Sequence, residues 1–168
     1  RIGARPIDRY IEGLTALGAE FAYEDGFYKA KAPKGLRGTR FHFIKNSHSG
    51  TETLILAAVC AKGKTVIENA AAEPEVDDLI ELLNKMGGKI KRTEPRTIQI
   101  EGVSELHGAE HSIMGDRLEA QTFACAALAT KGDVQILGID WMLMSSFLDK
   151  VEESGRNYDV VPNGVRIY

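Results

Sequence analysis

Apolar positions along this chain recur with two periods, and the switches between them mark out a repeated unit. Residues 39–45 alternate aromatic and polar side chains, with Phe41 and Phe43 on either side of His42. This predicts a strand with His42 on its solvent face. Residues 50–62 are apolar nearly all round and stop at Gly63, which predicts a helix buried on all sides. Residues 64–68 are rich in β-branched side chains and predict a strand. From Pro74 to Met86, the apolar Val76, Leu79, Ile80, Leu83 and Met86 form one stripe opposite Asp77, Asp78, Glu81 and Lys85. That is the pattern of an amphipathic surface helix. Pro74 falls in its first turn, where a missing N–H costs nothing, and Gly87-Gly88 stop it. Strands at 89–92 and 96–101 complete a β-α-β-α-β-β unit.

The same order recurs downstream. It predicts a strand at 110–114, a helix at 116–130, a strand at 133–137, a helix at 141–153 and strands at 157–161 and 165–168. Upstream, a helix at 6–17 and strands at 19–23 and 27–31 read as the second half of another unit. The period is about 68 residues. Lys62-Gly63-Lys64-Thr65-Val66-Ile67 matches Lys131-Gly132-Asp133-Val134-Gln135-Ile136, and Met86-Gly87-Gly88 matches Leu17-Gly18-Ala19 and, more loosely, Ser154-Gly155-Arg156. The expected fold class is α/β (α+β), with about two and a half repeats. Apolar helices are expected at the centre, with sheets flanking them.

Composition narrows the function. The 168 residues are 43% hydrophobic, enough for one sizeable core or two small ones. A net charge of −3 gives no bulk basic field for nucleic acid or an anionic membrane, so any anion site must be local. No apolar run is long enough to span a bilayer and no signal-peptide pattern is present, which leads to the expectation of a cytoplasmic protein. Cys60 and Cys125 sit in short apolar runs and are expected to be inert core residues, neither disulfide-bonded nor metal-binding. His107 and His111 are four apart but lack further ligands nearby, so no metal is expected. The chain starts at Arg1 without methionine and is expected to be part of a longer polypeptide.

Two polar clusters carry the candidate chemistry. Arg5-Pro6-Ile7-Asp8, followed by Arg9, precedes the first helix, and Lys45-Asn46-Ser47-His48-Ser49-Gly50-Thr51 precedes the apolar one. A helix N-terminus exposes unpaired N–H groups and the positive end of the dipole, and an adjacent Arg or Lys turns it into an anion site. Each cluster alone also fits an ordinary helix cap. Asp116-Arg117 likewise reads as an N-cap with an ion pair, and Glu73-Pro74-Glu75 as an acidic helix start favoured by the dipole. Residues 141–144 (Trp-Met-Leu-Met) read as core or as a patch covered by a partner.

Four stretches together resemble the UDP-N-acetylglucosamine enolpyruvyl transferase family. They are Ile2-Gly3-Ala4-Arg5-Pro6-Ile7-Asp8, Glu68-Asn69-Ala70-Ala71-Ala72-Glu73-Pro74-Glu75-Val76-Asp77, Ile100-Glu101-Gly102-Val103 and Asp116-Arg117-Leu118-Glu119-Ala120-Gln121-Thr122-Phe123. Enolpyruvyl-shikimate-phosphate synthase belongs to the same broader group. The resemblance implies two similar domains of three β-α-β-α-β-β units each, an inside-out α/β barrel arrangement. Residues 1–114 would end the first domain and 115–168 begin the second. It also implies enolpyruvyl transfer from phosphoenolpyruvate to the 3′-hydroxyl of UDP-N-acetylglucosamine through a tetrahedral adduct, without a cofactor. Arg5, Pro6, Ile7, Asp8 and Arg9 would wrap the nucleotide sugar, and Lys45, Asn46, Ser47 and His48 would meet its diphosphate. The family's second segment usually reads Ser-Val-Gly-Ala-Thr, where this chain has Ser47-His48-Ser49-Gly50-Thr51. The family's reactive Cys or Asp would precede Arg1, so no catalytic residue is expected in this chain, and these residues alone are expected to be inactive.

Overall fold

The computed structural model describes residues 7–168. The chain divides into two compact units, one ending at His111 and the other running from Ser112 to Tyr168.

In the first unit, helix α1 (Asp8–Ala16) leads into the hairpin β1 (Glu20–Glu24) and β2 (Phe27–Lys31). Asp25 and Gly26 both hold positive φ, the signature of the two-residue turn whose twist matches its strands. Strand β3 (Arg40–His42) and helix α2 (His48–Ala58) follow, then β4 (Lys64–Glu68), α3 (Pro74–Lys85), β5 (Lys89–Glu94) and β6 (Thr97–Glu101). The four later strands form one sheet in the order β3-β4-β6-β5, parallel between β3 and β4 and antiparallel elsewhere. Its buried face (Ile67, Ile98, Ile100) packs with Leu54 and Ile55 of α2 and with Val76 and Ile80 of α3. Helix α1 packs on α2, where an added Cβ at Gly13 would lie 2.2 Å from Leu54 Cδ1. Only glycine admits Leu54 at that crossing.

The second unit repeats the plan with α4 (Arg117–Thr130), β7 (Val134–Leu137), a 3₁₀ turn at Trp141–Met144, α5 (Ser145–Glu153), β8 (Tyr158–Val161) and β9 (Gly164–Ile167). Its sheet order, β7-β9-β8, mirrors β4-β6-β5. Asp116 caps α4 as expected, accepting from the N–H groups of Leu118 and Glu119 at 2.8 and 3.0 Å.

The glycine repeat seen in the sequence is one helix stop used three times. At the end of α1, Gly18 N–H donates to Thr15 and Ala19 N–H to Leu14. At the end of α3, Gly87 and Gly88 donate to Asn84 and Leu83, and at the end of α5, Gly155 and Arg156 donate to Glu152 and Val151. Gly18, Gly87 and Gly155 all have φ between 76° and 100°. This is the Schellman cap, and each copy turns the chain into the hairpin that follows.

Four expectations are corrected. Residues 110–114 form no strand: His111 is held by α3, its Nε2 3.1 Å from Asp78 Oδ1 and its Nδ1 3.2 Å from Lys85 Nζ. The segment itself is irregular backbone. Cys60 and Cys125 are exposed. Helix α2 ends at Ala58, so Cys60 falls in the turn beyond it, and α4 buries Ala120, Ala124 and Ala127, which rotates Cys125 outward. Helix α2 is not buried all round, because Leu56 is 54% exposed. The predicted helix at 141–153 begins as a 3₁₀ turn, with Asp140 accepting from Met142 N–H. In that turn Met144 is core and Met142 exposed.

Asp133 and Arg166 form a paired contact across β7 and β9, Nε to Oδ1 at 2.8 Å. The hydrogen bond from Arg166 holds the Asp133 carboxyl below its ordinary range, and that from Lys85 does the same for Glu81. A lowered folded-state value means stabilisation that is complete above the unfolded carboxylate range and lost as pH falls through the folded value. Asp133→Asn should therefore flatten the acid side of a Tm-versus-pH curve and leave its neutral-to-alkaline shape unchanged.

Candidate functional site

Arg5 and Pro6 lie outside the described residues. The other expected site residues occupy two neighbouring stretches, the start of α1 and the loop between β3 and α2. Ile7 sits at the N-cap of α1 and offers no side-chain cap. Its carbonyl accepts from the N–H groups of Tyr10 and Ile11 at 3.0 and 3.2 Å. Asp8 lies in the first turn, where the helix dipole favours an acid. Asp8, Arg9 and Glu12 from α1 face Phe43, Ile44 and Lys45 across an open cleft of about 220 Å³. Two cations and two carboxylates share it, a mixture suited to a ligand with both phosphate and hydroxyl groups.

The loop is built from the end of β3 outward. Phe43 is buried, donates its N–H to Glu68 O and meets Phe41 edge-on at 4.9 Å between centroids. Its carbonyl accepts from Asn69 Nδ2 at 2.7 Å. Asn69 holds φ 50°, a left-handed conformation that Asn tolerates better than other side chains. Ser47 caps α2 by accepting from Gly50 N–H at 3.2 Å. Thr51, fully buried, donates to Ser47 O at 2.7 Å and accepts from Ala71 N–H at 2.9 Å. Residues 69–71 therefore hold the loop at both ends. Lys45 is exposed and makes no ion pair among the described residues.

Asn46 is half-buried, and its Nδ2 is shielded with no partner among the described residues. His48 lies in the first turn of α2 and not in the preceding loop. Its Nε2 is 3.3 Å from Glu52 Oε1, ion-pair distance without hydrogen-bond alignment. One residue on, Ser49 Oγ lies 2.5 Å from Tyr10 OH, which ties the two stretches directly. Tyr10, Asn69 and the buried role of Thr51 were not singled out from the sequence. The signal for Asn69 was its place directly after the β-branched run at 64–68, since Asn after a strand marks a turn. His42 is exposed, 3.9 Å from Glu68. No group of His, Cys, Asp or Glu among the described residues is arranged to hold a metal.

One complete β-α-β-α-β-β unit, followed by a second that lacks only the leading strand, fits the enolpyruvyl transferase fold class. The family model for EPSP synthase (3-phosphoshikimate 1-carboxyvinyltransferase) matches residues 1–166, and the chain belongs to that family. Among curated relatives, a UDP-N-acetylglucosamine 1-carboxyvinyltransferase of Trichlorobacter lovleyi is 47% identical over 92% of this chain and 37% of its own length. One from Afipia carboxidovorans is 46% identical over 99% of this chain and 39% of its own. Staphylococcus aureus has another with the same figures. The chain thus spans less than two-fifths of the length of these relatives. The solved enolpyruvyl transferase NikO from Streptomyces tendae superposes with TM-score 0.77 at 18% identity, covering 99% of this chain and 43% of its own. EPSP synthase from Acinetobacter baumannii gives 0.68 at 22%, covering 97% and 38%. No helix among the described residues is long and apolar enough to cross a membrane.

Proposed function

We propose that the chain belongs to an enzyme that transfers the enolpyruvyl group of phosphoenolpyruvate to the 3′-hydroxyl of UDP-N-acetylglucosamine, with release of phosphate, in the cytoplasm, for peptidoglycan synthesis. The observation that carries this reading is 46–47% identity over 92–99% of the chain with relatives so named. The alternative, a shikimate-pathway synthase, has the family model's title but only 22% identity to the solved EPSP synthase. In this reading residues 1–114 are the later part of a first domain and 115–168 the start of a second.

Both substrates are polyanions, and the tetrahedral adduct between them keeps that charge. The site must therefore supply fixed cations where charge accumulates. Arg5, Arg9 and Lys45 are assigned that role. Asp8 accepts from sugar hydroxyls, and Ile7, Pro6, Asn46, Ser47 and His48 shape the walls. The shared cleft of Asp8, Arg9 and Lys45 supports the assignment. Calorimetric titration of the intact protein tests it. UDP-N-acetylglucosamine should bind at micromolar to millimolar concentration without phosphoenolpyruvate, and absence of binding would remove the reading.

A further inference from the structure

Helix α1 begins without a side-chain cap, and near its start Tyr10 OH lies 2.5 Å from Ser49 Oγ at the start of α2. One turn further on, Gly13 receives Leu54. The two contacts lie on the same side of α1, three residues apart, and meet α2 five residues apart. Gly13, with Leu14 and Leu17 on the core, fixes the middle and end of α1. The Tyr10–Ser49 bond adds a fixed point at the helix start. Asp8 and Arg9 sit immediately before Tyr10, while Lys45 lies four residues before Ser49. The bond therefore sets the width of the cleft these residues share.

We propose that the Tyr10–Ser49 hydrogen bond is a clasp between the starts of α1 and α2, and that Tyr10 and Ser49 are positioning residues for nucleotide-sugar binding. The inference rests on the substrate reading above. Neither hydroxyl is needed for folding: Tyr10 is only half-buried and keeps its ring as Phe, and Ser49 is exposed in the first turn of a helix already capped by Ser47. Misplacing Arg9 and Asp8 by even a fraction of an ångström weakens contacts to a rigid anion, because charge-assisted hydrogen bonds are short and directional.

The test uses the intact enzyme with Tyr10→Phe, Ser49→Ala, the double variant and Ser49→Thr. Each single variant should raise KM for UDP-N-acetylglucosamine roughly 3- to 10-fold, the scale of one net hydrogen bond. KM for phosphoenolpyruvate and kcat should stay within about twofold. The double variant should be no worse than either single, since both remove the same bond, and Ser49→Thr should behave as wild type. Amide hydrogen exchange at Tyr10 and Ile11, which donate to Ile7, supplies a readout without substrate. Exchange there should quicken by a similar factor in both single variants. Unchanged exchange would overturn the clasp, and quickened exchange with unchanged KM would overturn the positioning role. Multiplicative effects in the double variant would overturn both. A wrong substrate reading shows itself differently, as no UDP-N-acetylglucosamine binding by the unaltered enzyme.

Discussion

Lys45→Ala in the intact enzyme should lower kcat/KM for enolpyruvyl transfer by roughly 10- to 150-fold. A charge-assisted hydrogen bond to phosphate is worth on the order of 1.5–3 kcal/mol, and Lys45 has no other employment. Its ammonium is exposed beside Arg9 in the cleft and pairs with no carboxylate among the described residues. Removing it orphans no buried group, so the melting temperature should move by no more than about a degree. Lys45→Arg should recover part of the loss, since charge is kept while the fork geometry differs from a point charge. Wild-type kinetics in Lys45→Ala would show that the diphosphate lies elsewhere.

Gly102→Ala should be strongly destabilising, since among the described glycines it has the nearest backbone neighbour. A Cβ at Gly102 would stand 1.6 Å from the carbonyl oxygen of Ala61, a backbone atom that cannot rotate aside. Gly102 N–H donates to Gly63 O at 2.9 Å and the next residue, Val103, donates to Val59 O at 2.9 Å. The end of β6 is thus pressed against the end of α2, and relieving the overlap breaks those bonds. Overpacking costs about 1–3 kcal/mol and a lost backbone hydrogen bond about 0.5–1.5 more. A fall in melting temperature of roughly 5–12 °C should follow. Gly26→Ala is the comparison: Gly26 also carries no side chain, but nothing lies within 4 Å of a Cβ there. Its cost should come from positive φ alone, about 1 kcal/mol. Equal melting temperatures for Gly102→Ala and wild type would mean that β6 and α2 do not meet as described.

Much of the fold was legible because its punctuation is chemical. Strand β4 and the start of α3 fall where the β-branched run and Pro74 put them, and the three Gly stops recur at matching points. What failed was exposure. An apolar run says which residues could be buried, but each helical step turns the face by about 100°, and only neighbours decide which side is covered. Leu56 and Cys125 sit on the uncovered sides of α2 and α4, while Cys60 lies beyond the helix end. The strand at 110–114 failed for a related reason: His111 is captured by Asp78, 33 residues earlier, and no local pattern announces that.

The site divides in the same way. The two polar clusters were visible as charges ahead of helices, and Asp8, Arg9 and Lys45 do share a cleft. The links that hold them were not visible. Tyr10 reaches Ser49 across 39 residues and Asn69 reaches Phe43 across 26. Such bonds depend on how α1 crosses α2 and where β4 ends, which a linear pattern does not encode. His48 was read as part of a loop facing ligand, whereas it belongs to the first turn of α2 and turns towards Glu52.

The central claim is the identity of the acceptor. Phosphate release from phosphoenolpyruvate should be measured with the intact enzyme, in parallel with UDP-N-acetylglucosamine and with shikimate 3-phosphate. Release is expected with UDP-N-acetylglucosamine and none above background with shikimate 3-phosphate. Release with shikimate 3-phosphate alone would contradict it.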